Sequence, residues 1–346
     1  MPHPPHGDAE LPVVAHVQPD PAWLAASVEP ALLPQLPIVD AHHHFSEHWG
    51  GYGLDDLLQD TASGHAVQAT VYVQCGWRQR DTGPPELRAL SETEAVVALA
   101  EAAAARPGAP RVAAAIVGHA DLRLGEAVDA VLAAQVQAGR GRLRGIRNSG
   151  AWHAQFRHGV LARPMPGLYG DAAFRRGYAC LRRHGLSFDA WIYHPQLDEV
   201  IALAQAFPDT VLVLDHVAGV LGVGPYRGRR DAALAEWWPQ MQRLARCPNV
   251  VVKLGGLGTA VFGYDFAAQP RPPSSQQLAQ AWRPLIEPVI ETFGAERCLF
   301  ESNFPVDRGA AGYGVVWNAF KRLAAAASEH ERALLFHGTA SRVYRL

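Results

Sequence analysis

The chain has 346 residues, 49% of them hydrophobic, enough to bury one large α/β core or two small ones. With 31 basic and 33 acidic side chains and a formal net charge of -2, it has no bulk field to recruit nucleic acid or an anionic membrane, so a small molecule is the expected partner. No apolar run is long enough for a transmembrane helix, no leader pattern opens the chain, and Cys75, Cys180, Cys247 and Cys298 form no CxxC pair, which predicts a cytoplasmic protein with reduced, buried thiols.

The first dozen residues, rich in Pro and His, read as a loose arm. Residues 19–34, with Trp23, Leu24, Leu32 and Leu33, read as a short helical extension packed on the main body, so residues 1–35 form arm and extension and 36–346 the body. From there short apolar runs alternate with longer helical patterns. Strands are predicted at 36–40, 67–74, 111–117, 143–147, 186–192, 211–215, 249–254 and 298–301. Helices are predicted at 54–63, 92–105, 125–138, 172–184, 196–207, 231–245, 275–293 and 314–326. The third helix shows its apolar stripe in Ala127, Val128, Val131, Leu132 and Val136. Eight βα repeats with nearly all-apolar strands predict a single-domain α/β fold, the (β/α)8 TIM barrel, whose strands are covered on both faces. A doubly wound sheet would carry a glycine-rich phosphate turn early in the chain, and none is present.

In such a barrel the chemistry belongs at the strand C-termini. The first strand ends in Asp40-Ala41-His42-His43-His44, where period-two alternation points His42 and His44 together and His43 away. Further strand ends carry Gln74, Arg147, His194, His216, Lys253 and Asn303. Among 16 histidines any one is more simply a surface or core residue; it is their shared position that points to a site. The long connections 148–171, 217–230 and 255–274 fall on the same face and carry Trp152, Tyr169, Tyr226, Phe262, Tyr264 and Phe266, as a lid or pocket wall would.

HxH after strand one, a histidine after strand five, Asp-His after strand six and Ser-Asn-Phe-Pro after strand eight resemble the amidohydrolase superfamily, and most closely its amidohydrolase-related branch of lactonase-like hydrolases. The likeness runs from Leu36 to Leu346. It implies a (β/α)8 barrel that hydrolyses an ester or amide, with His42, His44 and His194 as metal ligands and His216 binding or polarising water or substrate. Three imidazoles leave a divalent ion, zinc by ligand preference, with an open position. Hydrolysis without metal is the alternative, since Asn303 stands where the superfamily usually has an aspartate. An amide is no general base, which leaves Asp307 or His216 for that role, or a protein that binds a ligand without turnover.

Arg147 suits a carboxylate in two-pronged geometry, while Lys253 in an apolar strand fits either a substrate anion or an internal ion pair. With Gln74, Trp152 and Tyr226 these form the expected substrate contacts, and a small lactone carrying a carboxylate is the expected substrate. A decarboxylase acting on an unsaturated or aromatic acid is the second enzyme reading. Ser91 and Glu94 read as a capping box beside Glu92. The arm and residues 341–346 are placed to meet a second copy in a homo-oligomer.

Overall fold

The eight predicted strands form one parallel sheet in sequence order. In the computed structural model, which describes residues 11–18, 20–48, 50–158 and 164–346, they are β1 (Pro37–His43), β2 (Ala66–Val73), β3 (Arg111–Gly118), β4 (Leu143–Ser149), β5 (Ser187–Trp191), β6 (Leu212–Leu214), β7 (Val250–Leu254) and β8 (Cys298–Phe300). The helices that cover them are α1 (Leu54–Thr61), α2 (Leu90–Ala104), α3 (Val128–Ala138), α4 (Ala172–Cys180), α5 (Leu197–Ala206), α6 (Arg230–Leu244), α7 (Ser275–Phe293) and α8 (Tyr313–Leu323). This is the expected TIM barrel.

The two ends of the sheet meet just beyond β8. Asn303 N donates to His42 O at 2.9 Å and His44 N to Phe304 O at 2.7 Å. Ser302 ties the seam to Asp40, its amide donating at 2.8 Å and its hydroxyl at 2.6 Å. Residues two apart share a face, so Val213, Val251 and Leu299 point the same way as Asp215, Lys253 and Glu301. These three apolar residues pack with Val39, Val71 and Ala115 in a cluster distinct from the larger core. That interior cluster sets the depth at which the charged residues above it sit.

Helix boundaries moved where the chain tightens into 3-10 turns, at Leu122–Ala127 before α3 and Leu181–His184 after α4. The capping box at Ser91 is not formed. Helix α2 starts a residue before Ser91, whose hydroxyl donates to Arg88 O at 2.9 Å, while Glu94 pairs with Arg80. Glu92 instead turns inward and accepts from Cys75 N at 2.7 Å and Tyr72 OH at 2.8 Å, which fixes the β2 loop.

Among the described residues of the extension, Pro21–Ala25 is the helical stretch, and polar ties hold the segment to the barrel. Trp23 Nε1 donates to Gln269 O at 2.8 Å, and Lys321 Nζ to Leu32 O at 2.7 Å and Leu33 O at 2.9 Å. The first ten residues of the predicted loose arm lie outside the described residues. The part that follows is paired: Val13–Val14 runs parallel to Arg157–His158 of the β4–α4 connection. The C-terminal segment, expected to meet a second copy, turns into its own barrel, where Tyr344 is buried and its hydroxyl donates to Asp189 Oδ2 at 2.9 Å. The four cysteines are buried and unpaired, and no helix among the described residues is long and apolar enough to cross a membrane.

Candidate active site

Five side chains from five strand ends make a closed charge network beneath the mouth of the barrel. Lys253 Nζ lies 2.7 Å from Asp189 Oδ2, 3.1 Å from Asp215 Oδ1 and 3.9 Å from Glu301 Oε2. Burial alone pulls the ammonium pKa down, but Asp189 and Asp215 outweigh it and hold the group charged. Arg147 adds a second cation, 3.4 Å from Asp215 Oδ2, and also donates to Gln74 O. Two cations therefore face three carboxylates, a balance of one negative charge that leaves room for a further cation.

The histidines sit on this floor in polar contacts. His44 Nδ1 is 2.7 Å from the carbonyl of Val73, which only accepts, so this nitrogen carries the proton. His42 Nδ1 lies between Glu301 Oε2 at 2.8 Å and the Lys253 ammonium at 3.1 Å. His42 Nε2 and His44 Nε2 face each other at 3.1 Å, with Arg147 Nη1 3.3 Å from His42 Nε2. A divalent ion in this position would be held by these two imidazole nitrogens. Burial, reinforced by Lys253 for His42 and by Arg147 for His44, pushes both imidazole pKa values well below the ordinary value, so both stay neutral, as metal ligands must be. Ligand atoms of His42, His216 and Glu301 also lie within 4.8 Å of one another. The donor set fits a divalent ion.

His216 completes the site. Its Nδ1 is 2.6 Å from Glu301 Oε1, which leaves Nε2 as the free basic edge of a residue that lines the central cavity. The backbone pays for that position with left-handed conformations, at φ 53° for His216 and 46° for Val217. A glycine makes it fit: a Cβ on Gly256 would lie 2.1 Å from His216 Nδ1.

Asn303 reaches the cavity, but Asp307 lies behind it. Asp307 accepts from Gly258 N at 2.9 Å and from Asn303 Nδ2 at 2.9 Å, and burial lifts its pKa to about 7. The other predicted residues divide. Arg147 and His44 line the cavity; Gln74, Trp152, Lys253 and Tyr226 do not. Lys253 is sealed in the ion network, which corrects the expectation of a substrate contact. The group of ligand atoms around His42 takes in neither His194 nor His44, and His194 does not line the cavity. Strand β5 has ended at Trp191, and the buried His194 side chain accepts at Nδ1 from Leu221 N at 3.2 Å and packs its ring on Tyr226 at 4.8 Å. Glu301, Asp215 and Asp189 were missed as site residues, although a lysine in an apolar strand already required acids opposite it. His43, as expected, faces away, 2.9 Å from Thr70 Oγ1.

A parallel barrel with convergent imidazoles and carboxylates at its strand C-termini defines an enzyme acting on a bound small molecule. The chain belongs to the amidohydrolase family, whose pattern matches residues 39–346, and it is a hydrolase. An L-fucono-1,5-lactonase of Burkholderia multivorans is 31% identical over 324 residues, covering 89% of this chain and 96% of the relative. The protein y4mH of Sinorhizobium fredii is 29% identical over 324 residues, covering 94% of this chain and 93% of that one. Among solved structures, an amidohydrolase of Burkholderia multivorans with bound zinc superimposes with a TM-score of 0.67 at 29% identity, covering 89% of this chain and 99% of its own.

Proposed function

We propose that this hydrolase opens a small 1,5-lactone by attack of water on the ring carbonyl, with His216 as general base. The observation that carries the reading is the 2.6 Å contact between His216 Nδ1 and Glu301, beside the facing Nε2 atoms of His42 and His44. Glu301 holds the imidazole with Nε2 free to take the water's proton and stabilises the imidazolium that forms. The same nitrogen then returns the proton to the departing ring oxygen. Glu301 thereby supplies the carboxylate that Asn303 lacks, two residues earlier and on the same seam.

His42 and His44 would hold the divalent ion, and zinc suits imidazole ligands and is bound in the 29% identical neighbour. Such an ion supplies Lewis acidity toward a carbonyl or water oxygen. Arg147 lies at the cavity wall with its charge already matched by Asp215, which favours a neutral lactone over one carrying a carboxylate. The 31% identical relative named for a sugar lactone supports the same class.

The test is proton release from a panel of 1,5-lactones, with metal content measured on protein purified without chelator. Turnover that is lost on chelation and restored by zinc is expected; turnover that survives complete metal removal supports the metal-free route. Carbon dioxide from unsaturated acids, with no lactone opened, would replace this reading with the decarboxylase.

A further inference from the structure

We propose that His158, held at the cavity mouth by the N-terminal arm, is a specificity-determining residue that binds a ring hydroxyl of the substrate. The inference rests on the lactonase reading for its substrate and on separate geometry for its site.

The cavity above His44 and His216 is lined on its outer side by His16 of the arm and by His153, Phe156, Arg157 and His158 of the β4–α4 connection. These two stretches are joined by backbone pairing, with Val13 opposite Arg157 and Val14 opposite His158, and Arg157 N donates to Pro12 O at 3.1 Å. Beyond the pairing the arm crosses to the other loops of the mouth. Gln18 Nε2 donates to His48 O at 2.7 Å, and Val17 packs so close to Gly309 that a Cβ there would lie 3.1 Å from Val17 O. The family pattern begins at residue 39, so the arm lies outside it.

The His158 ring stands 4.5 Å from that of His16, and its Nε2 is closed off from solvent with no hydrogen-bond partner among the described residues. A buried polar atom without a partner lowers stability, and a bound ligand that satisfies it recovers that loss as affinity. Burial drives the imidazole pKa well below its ordinary value, so the ring is neutral. A neutral imidazole nitrogen either donates or accepts according to tautomer, and a hydroxyl serves both cases, whereas a carboxylate only accepts. No carboxylate lines the cavity among the described residues, so no acid on the protein competes for that nitrogen.

The experiment compares full-length wild type, His158→Phe and His158→Gln on an aldono-1,5-lactone and on unsubstituted δ-valerolactone. Calorimetric binding of a polyhydroxylated δ-lactam, which is not opened, is measured alongside. His158→Phe should raise KM for the hydroxylated lactone and weaken lactam binding by about tenfold, leave δ-valerolactone unchanged, and be partly rescued by Gln. Val14→Pro, which disrupts the pairing beside His158, should give the same selective loss. Equal losses on both lactones, unchanged lactam affinity in His158→Phe, or no lactam binding by wild type would each overturn the proposal. Opening of δ-valerolactone with no role for His158 leaves the lactonase reading standing; lactam binding that depends on His158 without opening of either lactone leaves the subsite standing and removes the lactonase.

Discussion

The floor and the mouth of the cavity are built on opposite principles. On the floor, Lys253, Arg147, Asp189, Asp215 and Glu301 answer one another's charges within a few ångströms and are buried from solvent. At the mouth, aromatic and imidazole rings stand without any carboxylate among the described residues, and His158 Nε2 has no hydrogen-bond partner among them. A closed charge network fixes tautomers and positions and tolerates little change. A wall of neutral rings fixes shape and leaves its hydrogen bonds to the ligand. Substitutions on the floor should therefore destroy turnover or stability, and those at the mouth should alter which substrate is accepted.

The largest effect is expected from Glu301→Gln. It keeps the volume but removes the negative charge and one of the two acceptor oxygens beside His216 and His42, and kcat should fall by roughly 10²–10⁴-fold in proton-release assays. Activity within a few-fold of wild type would remove His216 from the role of base. Next comes Lys253→Met, which leaves Asp189 and Asp215 buried without their cation; urea unfolding should show a loss of about 3–5 kcal/mol. Adding Asp189→Asn should recover part of that loss, and a double variant as unstable as the sum of the two singles would show that the pair is not coupled. Gly256→Ala is smaller again. Its methyl group must push the His216 ring from a left-handed backbone position, φ 69°, so kcat should drop by about ten- to a hundredfold and the melting temperature should fall with it.

The division between floor and mouth also marks how far the sequence could be read. The barrel was legible because each apolar run is short and is followed by a helical stripe, and the HxH pair because period two holds to the end of β1. The rule that places chemistry at strand ends gives a height in the barrel and no direction. With the strand finished at Trp191 and a turn at His194–Gln196, His194 packs on Tyr226 and does not line the cavity. Glu301, Asp215 and Asp189 were hidden in plain view: acids in apolar strands, needed by Lys253, whose partners only the closed sheet brings together. The pairing of Val13–Val14 with Arg157–His158 has no local signal, since two short stretches so far apart in the chain reveal their register only in three dimensions.

The last expected effect concerns the carboxyl behind the site. Asp307 has its pKa raised from 3.8 to about 7 by burial. Between those values the unfolded chain has released a proton that the native state keeps, so this group's contribution to stability is full below about pH 4 and is lost as pH rises to about 7. Buried His42, His43 and His44, with lowered pKa values, act in the opposite direction, because acid protonates them in the unfolded chain first. The raw pH profile therefore mixes both, and the difference between wild type and Asp307→Asn isolates the carboxyl. That difference in unfolding free energy should change by up to about 1.4 kcal/mol per pH unit across the window, in the sense that wild type loses ground as pH rises. A difference that stays flat from pH 4 to 7 would mean that Asp307 keeps an ordinary carboxylate pKa in the folded protein, and that its bonds to Gly258 and Asn303 offset its burial in full.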